Sequence, residues 1–362
     1  MTNLFDYLHW RGDLTMEQAD FNEVDALILA RLSYVPFPMA ADREITVAQA
    51  AELTRPEDIS YPEDVDLLNA LALSRRFGGM GLSGYVEQLD EKAQKQFSAV
   101  TVRMAPYRYF VSFRGTDNTL VGWKEDFNMS FLFPVPAQET AVDYFRRQAM
   151  EKSGDFVLGG HSEGGNLAVY TAAFSDPALQ GRIRAVYNFD GPGFERSVLD
   201  MGQYQAMLDR ITTFVPQSSI VGMLLEHEES YIVVNSSEKT GILQHNVYSW
   251  TVDRDRLCYV DRMTGSSRMI DRTLTGWISD MEPAQRERFF DALYAILTQT
   301  NARTLQEMGE NWLETGKSIL STLKNLDEPT RNVLTHALSL LMKNARTSLT
   351  EDWKGQGEAG QL

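Results

Sequence analysis

The sequence predicts an α/β protein with a mainly parallel central sheet flanked by helices, extended by helical additions at both ends. Three observations carry that prediction. Short apolar runs rich in β-branched and aromatic residues recur between residues 99 and 234, and stretches with helical apolar spacing separate several of them. One junction, Phe156-Val157-Leu158-Gly159-Gly160-His161-Ser162-Glu163-Gly164-Gly165-Asn166, passes from an apolar run to a helical pattern through a glycine-rich turn. Both ends of the chain carry helical periodicity instead.

In chain order, residues 1–95 read as mostly helical. Residues 22–32 and 62–77 place Val, Leu, Ile and Ala at helical spacing. Gly78, Gly79, Gly81 and Gly84 then read as a flexible loop. Residues 99–104 and 109–113 read as strands joined by a turn at Pro106, and residues 156–158, 185–189, 211–215 and 231–234 as further strands. Helical stretches at 141–151 and 167–174 lie between them, the pattern of a parallel sheet covered by helices. Beyond residue 282, stretches 283–298, 304–326 and 329–347 carry apolar stripes, for example Val333, Leu334, Ala337, Leu338 and Leu341. Their polar faces mix both signs of charge, which fits a packed appendage better than a membrane-surface device. The expected organisation is a helical region over 1–95 packed on a core of 96–281 and a helical appendage or cap over 282–354. That appendage is a candidate for joining copies of the chain, and a disordered Gly- and Gln-rich tail over 355–362 follows it.

Composition narrows the function. With 362 residues, 43% of them hydrophobic, the chain can bury a large core. Its 34 basic and 50 acidic residues give a formal net charge of -16 and leave no basic patch, which disfavours nucleic acids and anionic membranes as partners. Cys258 is the only cysteine, so neither an intramolecular disulfide nor a cysteine-based metal site is expected. Met1-Thr2-Asn3-Leu4-Phe5-Asp6 has neither the basic start nor the apolar run of a signal peptide. No apolar stretch reaches the roughly 20 residues that span a bilayer. The expectation is a cytoplasmic protein.

The glycine-rich junction carries the chemistry. Gly160-His161-Ser162-Glu163-Gly164 fits the G-x-S-x-G turn between a strand and a helix, which presents a serine hydroxyl above a sheet. Gly160 and Gly164 lack the Cβ atoms that would clash where strand and helix approach. The helix N-terminus that follows can stabilise negative charge. A serine so placed needs a base, an acid that orients the base, and oxyanion donors. Five histidines are available. His161 is read as structural and turned away from the serine, His9 as a packed helix residue, and His336 as a core residue. His245 and His227 both follow the serine, in the order this architecture uses, and His245 is favoured because it follows the last strand. Asp190 ends the strand 185–189 and is the leading acid, with Glu226, Glu228 and Asp253 as competitors. A turn-initiating role for Asp190 is the alternative. The Glu163 amide supplies one oxyanion donor by position, and Thr116, in the loop after strand 109–113, a second.

Phe113-Arg114-Gly115-Thr116, followed by Gly122-Trp123-Lys124-Glu125-Asp126-Phe127, resembles the F-R-G-T…D-W-x-x-D-L signature of the class 3, fungal-type lipases. Their G-H-S-L-G-G is matched by Gly160-His161-Ser162-Glu163-Gly164-Gly165, and their H-x-x-Y by His245 with Tyr248. The resemblance covers roughly residues 95–255. Over the whole chain the sequence looks like the Mbeg1-like proteins, a bacterial α/β-hydrolase family, including Tyr7-Leu8-His9-Trp10-Arg11-Gly12-Asp13 and Phe21-Asn22-Glu23-Val24-Asp25. The resemblance implies an α/β-hydrolase fold, Thr116 in the oxyanion hole and a lipid or other ester substrate. It departs at one place. Class 3 lipases carry their acid in a D-x-V-P segment, whereas Phe214-Val215-Pro216-Gln217-Ser218-Ser219-Ile220-Val221-Gly222 has no carboxylate. Asp190-Gly191-Pro192 looks instead like the acid site of pancreatic-type lipases.

Together these readings give a serine hydrolase that cleaves carboxylic esters through Ser162, His245 and Asp190, without metal or organic cofactor. Phe127, Met129, Phe131, Leu132, Phe133, Met223, Leu224 and Leu225 are candidates for an acyl pocket, or else ordinary core. An acyltransferase or thioesterase would use the same site. A peptidase, or a non-catalytic scaffold with a binding or regulatory role, is the further alternative.

Overall fold

The structure, a computed structural model, describes residues 2–90, 95–115, 133–219, 221–238 and 241–261, together with Glu328, Arg331 and Asn332. One eight-stranded sheet runs in chain order: β1 (Ile45–Thr46), β2 (Gly81–Asp90), β3 (Lys95–Ala105), β4 (Arg108–Phe113), β5 (Asp155–His161), β6 (Ile183–Phe189), β7 (Ile211–Pro216) and β8 (Tyr231–Val234). Strands β1 to β4 pair antiparallel, and β4 to β8 pair parallel. The helices that matter here are α1 (Leu4–Arg11), α2 (Glu23–Leu32), α3 (Val47–Leu53), α4 (Pro62–Leu73), α5 (Pro136–Glu151) and α6 (Glu163–Phe174).

The layering follows from the strand order. Every parallel step from β4 to β8 moves the same way across the sheet, and crossovers share one hand, so the connecting helices α5 and α6 fall on one face. A parallel sheet needs both faces covered. The N-terminal segment supplies the second cover. Along β3, Phe97 and Ala99 pack in the layer of α5 and α6, while Val100 and Val102 pack with α1, α2 and α4. Along β4, Val111 and Phe113 take the first layer and Phe110 the second. The period-two alternation of a strand produces both cores at once.

Local signals set the helix boundaries. Asn3 and Asn22 cap α1 and α2 with their side-chain oxygens, and Asp6 and Asp25 reach back to the cap amides. Proline opens α4 and α5 at the first turn, where its missing N–H costs nothing. Helix α4 stops at Leu73, short of the 62–77 expected. The chain turns extended at Ser74 so that the buried Arg76 guanidinium can bond Asp25 at 2.7 Å and the carbonyls of Leu14, Ala19 and Asp20. The glycines expected to form a loop after it include Gly81 and Gly84, which instead lie in β2. Gly84 marks a β-bulge, with φ of 63°, and a Cβ there would meet the Gln148 amide at 2.6 Å. The N-terminal region is thus helical but also gives the sheet β1 and β2.

The last described stretch folds back onto the first. A two-stranded ribbon, β9 (Val252–Asp253) with β10 (Arg256–Leu257), lies against the N-terminus. The Val252 amide donates to the Thr2 carbonyl at 3.1 Å, and the Leu257 amide donates to Glu23 Oε1 at 2.8 Å. Among the described residues no helix is long and apolar enough to cross a membrane. Apart from Glu328, Arg331 and Asn332, which are helical, the three helices expected after residue 282 and the tail lie outside the described residues, as does His336. A mainly parallel sheet between two helical layers, with a sharp turn from β5 into α6 at its carboxyl edge, is an α/β-hydrolase fold, as the sequence predicts.

Candidate active site

Ser162 occupies the turn between β5 and α6 with φ of 59° and ψ of -136°. A non-glycine residue held there costs on the order of 1–3 kcal/mol, which the surrounding packing must impose. The flanking glycines show how. A Cβ on Gly160 would lie 2.2 Å from the Gly164 carbonyl carbon, and one on Gly164 would lie 2.1 Å from the Phe113 carbonyl oxygen. Strand, helix and the neighbouring strand therefore meet backbone to backbone, and the serine is forced up at their junction. Helix α6 begins at Glu163, four residues before the 167 expected, so the Glu163 amide lies in the first turn of the helix beside Ser162.

Asp190 ends β6, the strand next to β5. Its amide donates to the Phe214 carbonyl at 2.8 Å, which continues the ladder to β7. The turn after it is tied by Asn188, whose Oδ1 accepts from the Gly191 amide at 2.9 Å. The Asp190 carboxylate is therefore not spent on its own turn. Its Oδ1 accepts from the Ser219 hydroxyl and from the Gly222 amide at 3.2 Å. Both donors come from the segment where the resemblance would place a carboxylate.

His245 completes the chain of contacts. Its Nδ1 lies 2.7 Å from Asp190 Oδ2 and its Nε2 lies 2.9 Å from Ser162 Oγ. A carboxylate only accepts, so the Nδ1 proton donates to Asp190 and bare Nε2 faces the serine hydroxyl. Asp190 is buried, while the His245 side chain keeps 20% of its exposure. The loop that carries it is fastened on both sides. Trp250 Nε1 donates to the Gln244 carbonyl at 2.8 Å, and Gln244 Oε1 accepts from the Ser218 amide at 2.7 Å.

The structure brings Ser162, His245, Asp190 and the Glu163 amide together. The other candidates stand apart. His227 has both ring nitrogens engaged, by Glu229 and by the Gly222 carbonyl. Glu226 and Glu228 are in ion pairs with the half-exposed Arg196, and Asp253 is exposed in the ribbon. Thr116 lies outside the described residues. Its neighbour Gly115 runs beside the serine, where an added Cβ would lie 2.9 Å from Ser162 Cβ. Of the proposed acyl-pocket residues, Phe127, Met129, Phe131 and Leu132 also lie outside the described residues. Phe133 packs on Tyr170 and Phe174 of α6, and Met223 is buried with Val215. Among the described residues no group of three or more His, Cys, Asp and Glu is arranged to hold a metal ion.

Two histidine expectations need correction. His9 is exposed rather than packed. His161 does not turn away from the site: its ring lies against that of His245, tilted by 34° with centroids 4.4 Å apart, and its Nε2 bonds the His245 carbonyl at 2.8 Å. Strand alternation puts His161 on the face covered by the N-terminal helices, and the His245 loop packs in that same layer through Val247, Tyr248 and Trp250. A carbonyl only accepts, so Nε2 carries the His161 proton and Nδ1 accepts from the Tyr34 hydroxyl at 3.1 Å. Burial first, then His245 and Arg31, hold the His161 pKa well below its ordinary value, and the ring is neutral.

Behind Tyr34 lies a buried ion pair that no local pattern announces. Arg31 of α2 and Asp64 of α4 bond in two places, at 2.6 and 2.8 Å. Burial opposes the Arg31 charge, but Asp64 more than offsets it. The guanidinium lies 4.2 Å from the Tyr34 ring centroid, and Asp64 Oδ1 accepts from the Tyr248 hydroxyl at 2.6 Å. The histidine loop is thereby gripped twice, by His161 of β5 at the His245 carbonyl and by Asp64 of α4 at Tyr248.

No curated protein matches the sequence. Among solved structures the chain is similar to M37 lipase, with 16% identity and a TM-score of 0.38 over 55% of this chain and 68% of that one. It is also similar to a Rhizomucor miehei lipase propeptide complex carrying a deletion, with 14% identity and a TM-score of 0.37 over 61% of this chain and 78% of that one. The sequence profile of the Mbeg1-like family matches residues 71–295, more than half of the chain. The chain belongs to the Mbeg1-like family.

Proposed function

We propose that this protein is a serine hydrolase acting on carboxylic esters, with Ser162 as nucleophile, His245 as general base and Asp190 as the acid that orients it. One observation carries the reading: the unbroken hydrogen-bonded chain from Ser162 Oγ through His245 to Asp190, at 2.9 and 2.7 Å, raised on a strained turn at a helix N-terminus. His245 Nε2 takes the serine proton as Oγ attacks the ester carbonyl. Asp190 keeps the imidazole in the productive tautomer and stabilises the imidazolium. The Glu163 amide and Thr116 receive the developing oxyanion, each donor worth about 3 kcal/mol of barrier. The alcohol leaves with the proton from His245, and water then attacks the acyl-enzyme by the reverse roles. A lipid ester is the substrate favoured by the family resemblance, and no residue of the described site demands a charged one.

The test is labelling of the purified protein by a fluorophosphonate probe, with hydrolysis of p-nitrophenyl acyl esters in parallel. Wild type is expected to label and to turn over ester, while folded Ser162→Ala does neither. Folded wild type that neither labels nor hydrolyses any acyl length, or a Ser162→Ala variant that keeps its turnover, overturns the reading.

A further inference from the structure

His227 is the histidine that the proposed reaction leaves unused, and its surroundings fix its charge. Its side chain is 4% exposed. Nδ1 lies 3.1 Å from Glu229 Oε1, and Nε2 lies 2.7 Å from the Gly222 carbonyl oxygen. The carbonyl can only accept. Glu229 is ringed by donors, since the Thr213 hydroxyl bonds Oε1 and the Tyr204 hydroxyl bonds Oε2 at 2.9 Å. A carboxylate in such a cluster stays ionised, and it too can only accept. A neutral imidazole would turn a bare nitrogen toward one of these two acceptors. Both nitrogens must therefore carry protons.

The partner at Nε2 connects this imidazolium to the candidate active site. Gly222 lies in a strap, residues 221–226, and is held on both sides of its Cα: its carbonyl, in the peptide group shared with Met223, bonds His227, and its N–H, in the peptide group shared with Val221, donates to Asp190 Oδ1 at 3.2 Å and to Ser219 Oγ at 3.0 Å. The fit is close: a Cβ on Gly222 would lie 2.4 Å from Asp190 Oδ1. The same strap is stitched to the turn after Asp190, with Gly193 N–H on the Leu224 carbonyl at 2.8 Å and Phe194 paired with Glu226. Asp190 Oδ1 thus belongs to the strap and Oδ2 to His245.

We propose that His227 is a positioning residue: as a buried imidazolium clamped between Glu229 and the Gly222 carbonyl, it holds Gly222 in place so that the Gly222 N–H stays on Asp190 Oδ1 and Asp190 presents Oδ2 to His245. For its effect on catalysis the proposal rests on the hydrolase reading above, but the charge of His227 and its hold on Asp190 do not. The groups that face the ring are Glu229, the Asp190 carboxylate on the other side of Gly222, the Tyr204 hydroxyl on the far side of Glu229 and the edge-on ring of Tyr231, 6.5 Å away. Loss of the ring proton at high pH leaves one anchor without its hydrogen bond and loosens the strap.

Two measurements test it on the full chain. Two-bond ¹H–¹⁵N correlation spectra of histidine-labelled wild type read the ring protonation directly, and at neutral pH His227 is expected to show both nitrogens protonated. A neutral tautomer at His227 overturns the proposal. The second measurement compares wild type with folded His227→Gln. The downfield proton of the His245 Nδ1–H···Asp190 bond is expected in wild type and lost or exchange-broadened in the variant. The fluorophosphonate labelling rate is expected to fall roughly 10- to 100-fold, with little change in KM for ester; wild type is expected to lose rate at alkaline pH as His227 titrates, and the variant is expected not to. An unaltered downfield proton, rate and pH profile in His227→Gln overturn it. If His227→Gln does not fold, the wild-type spectrum still decides the charge, and disappearance of the wild-type downfield proton as His227 titrates decides the coupling. The downfield resonance needs no turnover, so failure of the hydrolase reading and failure of this one are told apart.

Discussion

The carbonyl oxygen of His245 is bonded by Nε2 of His161 at 2.8 Å, and the two imidazoles touch at a tilt of 34° with centroids 4.4 Å apart. The residue before the proposed nucleophile therefore holds the proposed base by its backbone as well as by its ring. Tyr34 fixes the tautomer that makes this bond available.

Replacing His161 by Phe keeps a flat ring under His245 and removes both hydrogen bonds. The expected result is a labelling rate lower by roughly 10- to 100-fold, since a misplaced base costs rate steeply, with KM nearly unchanged. A rate equal to wild type would reduce His161 to a packing residue.

Asp190→Asn leaves the shape of the turn and keeps an oxygen for Ser219, but presents an amide to His245 Nδ1. The wrong tautomer is then favoured, and kcat is expected to fall about 10⁴-fold with KM little affected. Glu226→Gln and Glu228→Gln, whose carboxylates pair with the half-exposed Arg196, are expected to stay within about twofold of wild type. The reverse ordering in steady-state ester hydrolysis would move the acid to that loop.

Asp64→Asn leaves the Arg31 guanidinium buried without its counter-charge. Urea denaturation is expected to register a loss of about 3–5 kcal/mol, and the double variant Arg31→Met, Asp64→Leu is expected to recover much of it. If the single variant is as stable as wild type, the ion pair is not what holds α2 to α4.

The His227–Glu229 pair gives stability a defined pH window. Burial raises the Glu229 pKa, but the bonds from His227 and Thr213 outweigh it and bring it down to about 2. Burial lowers that of His227, but Glu229 and the Gly222 carbonyl raise it above the ordinary 6.5. Glu229 thus contributes stability above its unfolded pKa of about 4.5, lost as pH falls toward 2. His227 contributes below 6.5 and loses its contribution as pH rises through its raised pKa. Urea midpoints of wild type should exceed those of a His227→Gln, Glu229→Gln variant most between these limits. A difference that ignores pH would contradict the ionic form of the pair.

What the sequence made legible was local. The strand, Ser162 and α6 are contiguous, so backbone sterics alone spell the turn. Asp190 and His245 were findable because each ends or follows a strand and comes in a fixed order. The supports were hidden because they are long-range. Tyr34 meets His161 across 127 positions and Asp64 meets Tyr248 across 184, and although His161 and Tyr248 lie in motifs, nothing local marks Tyr34 or Asp64 as their partners. Ser219 was passed over because a carboxylate was sought in its segment, whereas the segment serves the carboxylate from the neighbouring strand. Strand β2 was misread because a glycine that enables a bulge looks like a glycine that ends an element.

The docking of the ribbon Val252–Leu257 on the chain's first residues bears on how the molecule is made. Thr2 bonds Val252, 250 positions later, and the N-terminal helices share their core with Phe189, Phe214, Val234 and Trp250, far along the chain. Contacts of such large sequence separation carry a high loop-closure cost, so the docking of α1 and α2 on the sheet is expected to come late in folding.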